Sequence, residues 1–132
     1  TGAGVHNARE EKAWLRTSWH ADSVRAGSVA GATVYTLSER ASDGVAAALA
    51  EQENRSDVIA GVDLSGESDA VADILIDLVQ SETKNYAVFF ARTLVGELKR
   101  NTGVVRNPHR SAGFKVLKAH DVPSVLLELG YL

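Results

Sequence analysis

The order of elements legible in this sequence predicts an α/β domain built on one central sheet. Runs of β-branched and aliphatic residues at 31–38 (GATVYTLS) and 124–129 (SVLLEL) read as strands. Between them, apolar residues at helical spacing mark one helix over 42–54 and a much longer one reaching about residue 100. Strands and helices interleaved along 132 residues fit a single layered domain with one core.

Taken in order, residues 1–5 (TGAGV) are small and read as a loose end, and 7–15 (NAREEKAWL) are rich in helix formers. A strand ending on His20 follows. It is polar at Arg16 and Thr17, where a buried parallel strand is apolar, so it belongs at an exposed edge or is altered over 14–19. Residues 21–30 form a Gly/Ser-rich loop before the strand at 31–38, in which Val34 and Thr36 alternate with Tyr35 and Leu37. Ser42 is the expected N-cap, with Asp43 in the first turn, for a helix whose Val45 and Leu49 line one face. Asn54-Arg55-Ser56-Asp57 should break it, leaving 58–64 as an irregular segment on the core surface.

Ser68 or Ser65 can cap the long helix, whose face runs through Val71, Ile74, Leu75, Leu78, Tyr86, Phe89, Phe90, Leu94 and Leu98. Its length exceeds that of most globular helices, so a kink is expected over 81–84. Lys99 and Arg100 suit its C-terminus, and Gly103 the left-handed residue after it. Residues 104–111 read as a basic loop, 114–117 as a short strand and 124–129 as the closing strand.

Composition narrows the function classes. Apolar residues at 45% and charged residues at 23% are ordinary for a globular protein, and a net charge of −3 lacks the basic stripe of a nucleic-acid binder. No apolar run approaches the ~20 residues of a membrane span. With no cysteine, any metal site uses His, Asp and Glu. The sequence shows no signal peptide and begins with Thr1, which reads as a processed or excised segment.

His20 and Glu128 are the sharpest candidates. A histidine at the C-terminal end of a strand, opening into a loop, lies where α/β folds form crevices, and neutral imidazole is a common zinc ligand. The plain alternative is a strand-end histidine satisfied by a backbone carbonyl. Glu128 is an acid inside the apolar run VLLELGYL, where a carboxylate is expensive without a role as base, ligand or ion-pair partner; on an edge strand it would simply face solvent. His109 and Arg110, in NPHRSAG, belong to a solvated loop or contact an anionic or peptide substrate. His120 lies beside a turn, and His6 in the loose end. Glu51, Glu53, Arg55 and Asp57 read as a solvated helix face.

The residues SWHADS, GATVYTLSER, AALAEQENRSDVIAGVDL, ILIDLVQSETKN, NPHRSAGFKVLKA and DVPSVLLELGYL, in that order, resemble the zinc-dependent N-acetylmuramoyl-L-alanine amidases of bacterial cell division, over roughly residues 5–132. The resemblance implies a central mixed sheet flanked by helices on both faces. It also implies hydrolysis of the amide joining muramic acid to L-alanine in peptidoglycan, by a periplasmic enzyme. Zn2+ is the implied cofactor, held in the family by two His and a Glu; His20 matches the second His, and Glu128 the catalytic glutamate. Residues 47–66 match a regulatory insert that blocks the site until a LytM-type activator displaces it. Glu53 is the expected occluding ligand, with Glu51 as second choice. The family's Gly-His-Gly-Gly motif and its glutamate ligand have no counterpart here, and the resemblance puts them upstream of Thr1. The domain is therefore expected to be a partial catalytic domain lacking the family's first strands, and monomeric. Two alternatives stand beside it: a metal-free amidase-like module that binds murein or a division partner, and a rearranged segment.

Overall fold

The computed structural model describes residues 2–21, 31–59, 70–119 and 121–130. Its elements are α1 (Gly2–Glu10), β1 (Arg16–His20), β2 (Ala32–Leu37), α2 (Gly44–Ile59), α3 (Ala70–Asn101), β3 (Val104–Ala112), a 3-10 turn (Lys115–Leu117) and β4 (Ser124–Glu128). The strands form one mixed sheet in the order β1-β4-β2-β3. β1 runs parallel to β4 and β2 parallel to β3, while β4 and β2 are antiparallel.

Alternation along the strands assigns the two faces. Tyr35 and Leu126 point to the α2 side, where they pack with Ala46, Leu49, Ala50, Phe114 and Leu117. Val34, Val125 and Leu127 point to the α3 side, against Ala87, Ala91 and Val95. The expected mixed α/β layering, with helices on both faces, is what the chain adopts. β4 is buried at all five positions because it lies inside the sheet and under both layers. β1 alternates half-buried and exposed residues, and its polarity at Arg16 and Thr17 fits its place at the sheet edge among the described residues.

Several local expectations give way to tertiary context. The first helix ends at Glu10 rather than Leu15: Lys12 takes a left-handed φ of 50° and turns the chain. Asp43, not Ser42, caps α2, its Oδ1 accepting from the Ala46 N–H at 2.8 Å. The Ser42 hydroxyl instead accepts from the Ser111 N–H at 3.0 Å, tying the turn to β3. Residues 54–57 do not break α2, because the Asn54 side chain bonds away from its own helix.

α3 runs unbroken through 81–84, since Ser81, Glu82 and Lys84 face solvent and leave the helix no reason to kink. Gly103 follows it without the left-handed conformation. The segment read as a basic loop is β3. Being at the sheet edge among the described residues, it tolerates Arg106 and Asn107 on exposed positions and Arg110 half-buried. The stretch read as a strand at 114–117 is the 3-10 turn. The loop over 22–30, the segment 60–64, the start of the long helix at Ser65 or Ser68, and His120 lie outside the described residues.

Two glycines set the end of the sheet. Gly31 has φ +124°, and a Cβ there would stand 2.7 Å from the Val104 carbonyl carbon. At Gly31 only a residue without a Cβ lets the start of β2 approach β3 this closely. Gly130 has φ +112°, and a Cβ there would lie 3.5 Å from the Gly31 carbonyl oxygen, an ordinary contact, so its glycine is required by the backbone conformation.

Candidate active site at the strand ends

Glu128 closes β4. Register places it beside His20 in β1 and opposite Thr33 in β2. Alternation puts Glu128 on the face of Leu126, and Thr33 on the face of Tyr35. That is the α2 face, from which Glu53 meets His20. Three neighbouring strands therefore present His20, Glu128 and Thr33 in a row at one end of the sheet, under the second half of α2. Glu128 is fully buried and Thr33 nearly so. A carboxylate at the end of a central strand is costly unless its surroundings use it.

The His20 ring is held on both sides. Its Nδ1 lies 3.2 Å from Glu53 Oε2, and its Nε2 lies 2.9 Å from Ser18 Oγ. An ionised carboxylate only accepts, so Nδ1 carries a proton, and in the neutral ring Nε2 accepts from the Ser18 hydroxyl. The contact is largely removed from water, with side-chain exposures of 20% for His20 and 15% for Glu53. Glu53, expected from the resemblance as an occluding metal ligand, lies against His20. Glu51, the second choice, is exposed and pairs with Arg55 one turn on.

The donor chemistry bears on a metal. Two zinc ligands with bonds of about 2.0–2.2 Å at a tetrahedral angle stand about 3.3 Å apart, close to the 3.2 Å between His20 and Glu53. The pair is chemically suited to share a cation. Among the described residues, however, no group of three His, Asp or Glu converges to hold a metal ion.

Arg110 lies elsewhere. It pairs in register with Tyr35, and its Nε and Nη2 donate to the carbonyls of Asn107 and Arg106 at 3.0 and 2.9 Å. Asp43 stands 3.6 Å from the same guanidinium. These bonds staple an irregularity in β3: only two residue steps of β2, Ala32 to Val34, span Val104 to His109 of β3, and Asn107 takes φ 52°. His109 Nε2 lies 3.0 Å from Thr36 Oγ1. Burial, and secondarily the positive charge of Arg92, hold the His109 imidazole below its ordinary pKa. His6 meets Glu10 on the surface of α1.

Ser18, Thr33 and Asn54 were not singled out from sequence. Ser18 was within reach, because it lies two residues before His20 and so shares its face. Thr33 is placed opposite Glu128 by register, and Asn54 bonds to residues 113 and 115, relations between elements for which no local signal exists.

A buried acid and a carboxylate-bound histidine thus stand at adjacent strand ends of an α/β domain. The sequence profile of the Amidase_3 family, N-acetylmuramoyl-L-alanine amidase, matches residues 4–132, and the chain belongs to that family. It is 35% identical over 129 residues to N-acetylmuramoyl-L-alanine amidase AmiC of Escherichia coli O6:H1, covering 97% of this chain and 31% of that protein. Identity to AmiA of Escherichia coli K12 is 34% over 129 residues, with 97% and 45% covered. To AmiC of Neisseria meningitidis serogroup B it is 32% over 132 residues, with 99% and 32% covered. The chain spans less than half the length of each of these relatives.

Proposed function

We propose that the protein carrying this chain is a zinc-dependent peptidoglycan amidase of the bacterial periplasm, cleaving the bond between N-acetylmuramic acid and the L-alanine of the stem peptide. The observation that carries this is the fully buried Glu128 beside His20, in a chain of the amidase family. His20 would be one metal ligand, the others coming from residues other than those described. When bound, zinc would supply Lewis-acid polarisation of the scissile carbonyl and of a water. Glu128 accepts the proton that water loses as its oxygen bonds to the carbonyl carbon. It returns that proton to the amide nitrogen as the C–N bond breaks, so the acid ends as it began. Burial under α2 keeps the carboxylate from bulk water.

Glu53 closes this site in the same reading. Its carboxylate occupies the face of His20 that a substrate would approach, and a LytM-type activator would act by drawing α2 away. The test is hydrolysis of purified peptidoglycan by the protein loaded with zinc, read as newly exposed L-alanine amino groups. Glu128→Gln should lower the rate by roughly 10²–10⁴-fold, the usual worth of general acid–base catalysis, with zinc content unchanged. Full activity in that variant would remove Glu128 from the chemistry. Glu53→Gln should raise the rate without activator, and an unaltered rate would end the occlusion reading.

The second reading is a module that binds murein or a division partner without catalysis. Zinc content after dialysis separates the two. About one zinc per chain, lost in His20→Ala, supports the enzyme, and no zinc together with retained binding to peptidoglycan supports the module.

A further inference from the structure

α2 is attached to the sheet in two different ways along its length. Its first half carries the apolar anchors Ala46, Leu49 and Ala50, packed against Tyr35, Phe114 and Leu126. From residue 51 to 56, Glu51, Gln52, Arg55 and Ser56 are exposed, and only Glu53 and Asn54 turn inward. Asn54 Nδ2 donates to the Gly113 carbonyl at 2.9 Å, and the Lys115 N–H donates to Asn54 Oδ1 at 2.8 Å. One amide thus grips both sides of residue 114, as a neighbouring strand would. The gripped backbone is itself fixed, because the Phe114 ring is fully buried edge-on to Tyr35, with centroids 5.2 Å apart.

We propose that Asn54 is a positioning residue that latches the second half of α2 to the chain at 113–115 and thereby holds Glu53 on His20. The inference rests on the reading that Glu53 closes the site, and names the contact that sets how readily it opens. The physical case is one of substitution. Over residues 51–56 the helix has no large apolar side chain to bury, so this stretch is held by polar contacts that water can replace, and removing them releases it locally. Only an amide offers both the donor and the acceptor that this backbone pair requires. Consecutive helix positions diverge by about 100°, which lets Asn54 engage the 113–115 segment while Glu53 reaches His20.

The test uses the 132-residue chain with Asn54→Ala, Asn54→Asp and Glu53→Gln. Two readouts are taken: amide hydrogen exchange, and acylation of His20 by diethyl pyrocarbonate, followed by peptide mass spectrometry. Asn54→Ala should speed exchange over 51–56 and acylation of His20, each roughly tenfold for two lost hydrogen bonds, while β2 and β4 exchange as before. Asn54→Asp keeps the acceptor for Lys115 but sets a carboxylate against the Gly113 carbonyl. It should release the helix likewise, and it carries the test if the alanine variant does not fold. Unchanged exchange at 51–56, or an equal rise throughout β2 and β4, overturns the latch. If Glu53→Gln exposes His20 and the Asn54 variants do not, the latch fails and occlusion stands. If Glu53→Gln leaves His20 acylation as it was, the occlusion reading fails instead.

Discussion

α2 and α3 cover opposite faces of the same sheet and are held by different forces. α3 lays Ala87, Ala91 and Val95 on Ala32, Val34, Val125 and Leu127, with Phe90, Leu94 and Leu98 packed at the margin. That contact is apolar, continuous and non-directional, and it weakens only when the core opens. α2 contributes Ala46, Leu49 and Ala50, then depends on the Asp43 cap, the Asn54 amide and the Glu53–His20 pair. Each of these can be exchanged for water or for another partner at small net cost. The two layers therefore differ in the kind of contact that holds them: apolar packing behind the sheet, and a mixture of apolar and polar contacts on the side of the candidate site.

The largest effect expected from breaking this contrast comes from overpacking. Ala91→Leu forces extra methyl groups between α3 and Val34, and should cost about 1–3 kcal/mol of global stability in a denaturant titration. Ala50→Leu, beneath α2, should cost less, because the helix can shift outward. Equal losses would mean that the two layers are equally rigid. Next is the cap: Asp43→Ala leaves the Ala46 N–H without its partner and should cost about 1 kcal/mol. Loosening should be confined to the first turn of α2 in hydrogen exchange.

The smallest effect lies under α3, at His109. Its pKa is held below 6.5 by burial and by Arg92, so the folded state binds this proton less readily than the unfolded chain. The associated stability is therefore complete above about pH 6.5 and declines as pH falls toward the lowered folded value. His109→Gln should flatten that part of the stability–pH curve, and an unchanged slope would assign it to other groups.

Much of the site was legible before the fold. Strand-end position and an apolar context picked out His20 and Glu128, and the register brings them side by side. Glu53 was reached only through resemblance, since its local pattern is that of a solvated helix face, and its contact with His20 spans two layers. Residues 104–111 misled because an edge strand can be as polar as a loop. Nothing local distinguishes the two until β2 supplies the partner. The kink expected in α3 failed for a related reason, polar residues on the outer side of a helix being no obstacle to its continuing.

The α/β class, the two long helices, and the candidates His20 and Glu128 can be read from the chain alone, because periodicity and a charge in an apolar run are local facts. Tertiary structure alone decided which face each helix covers, that Thr33 and Ser18 flank the acid and the histidine, and that Asn54 grips residues 113–115. Those depend on strand order and register, and hence on contacts between positions far apart in the chain, which no local pattern records.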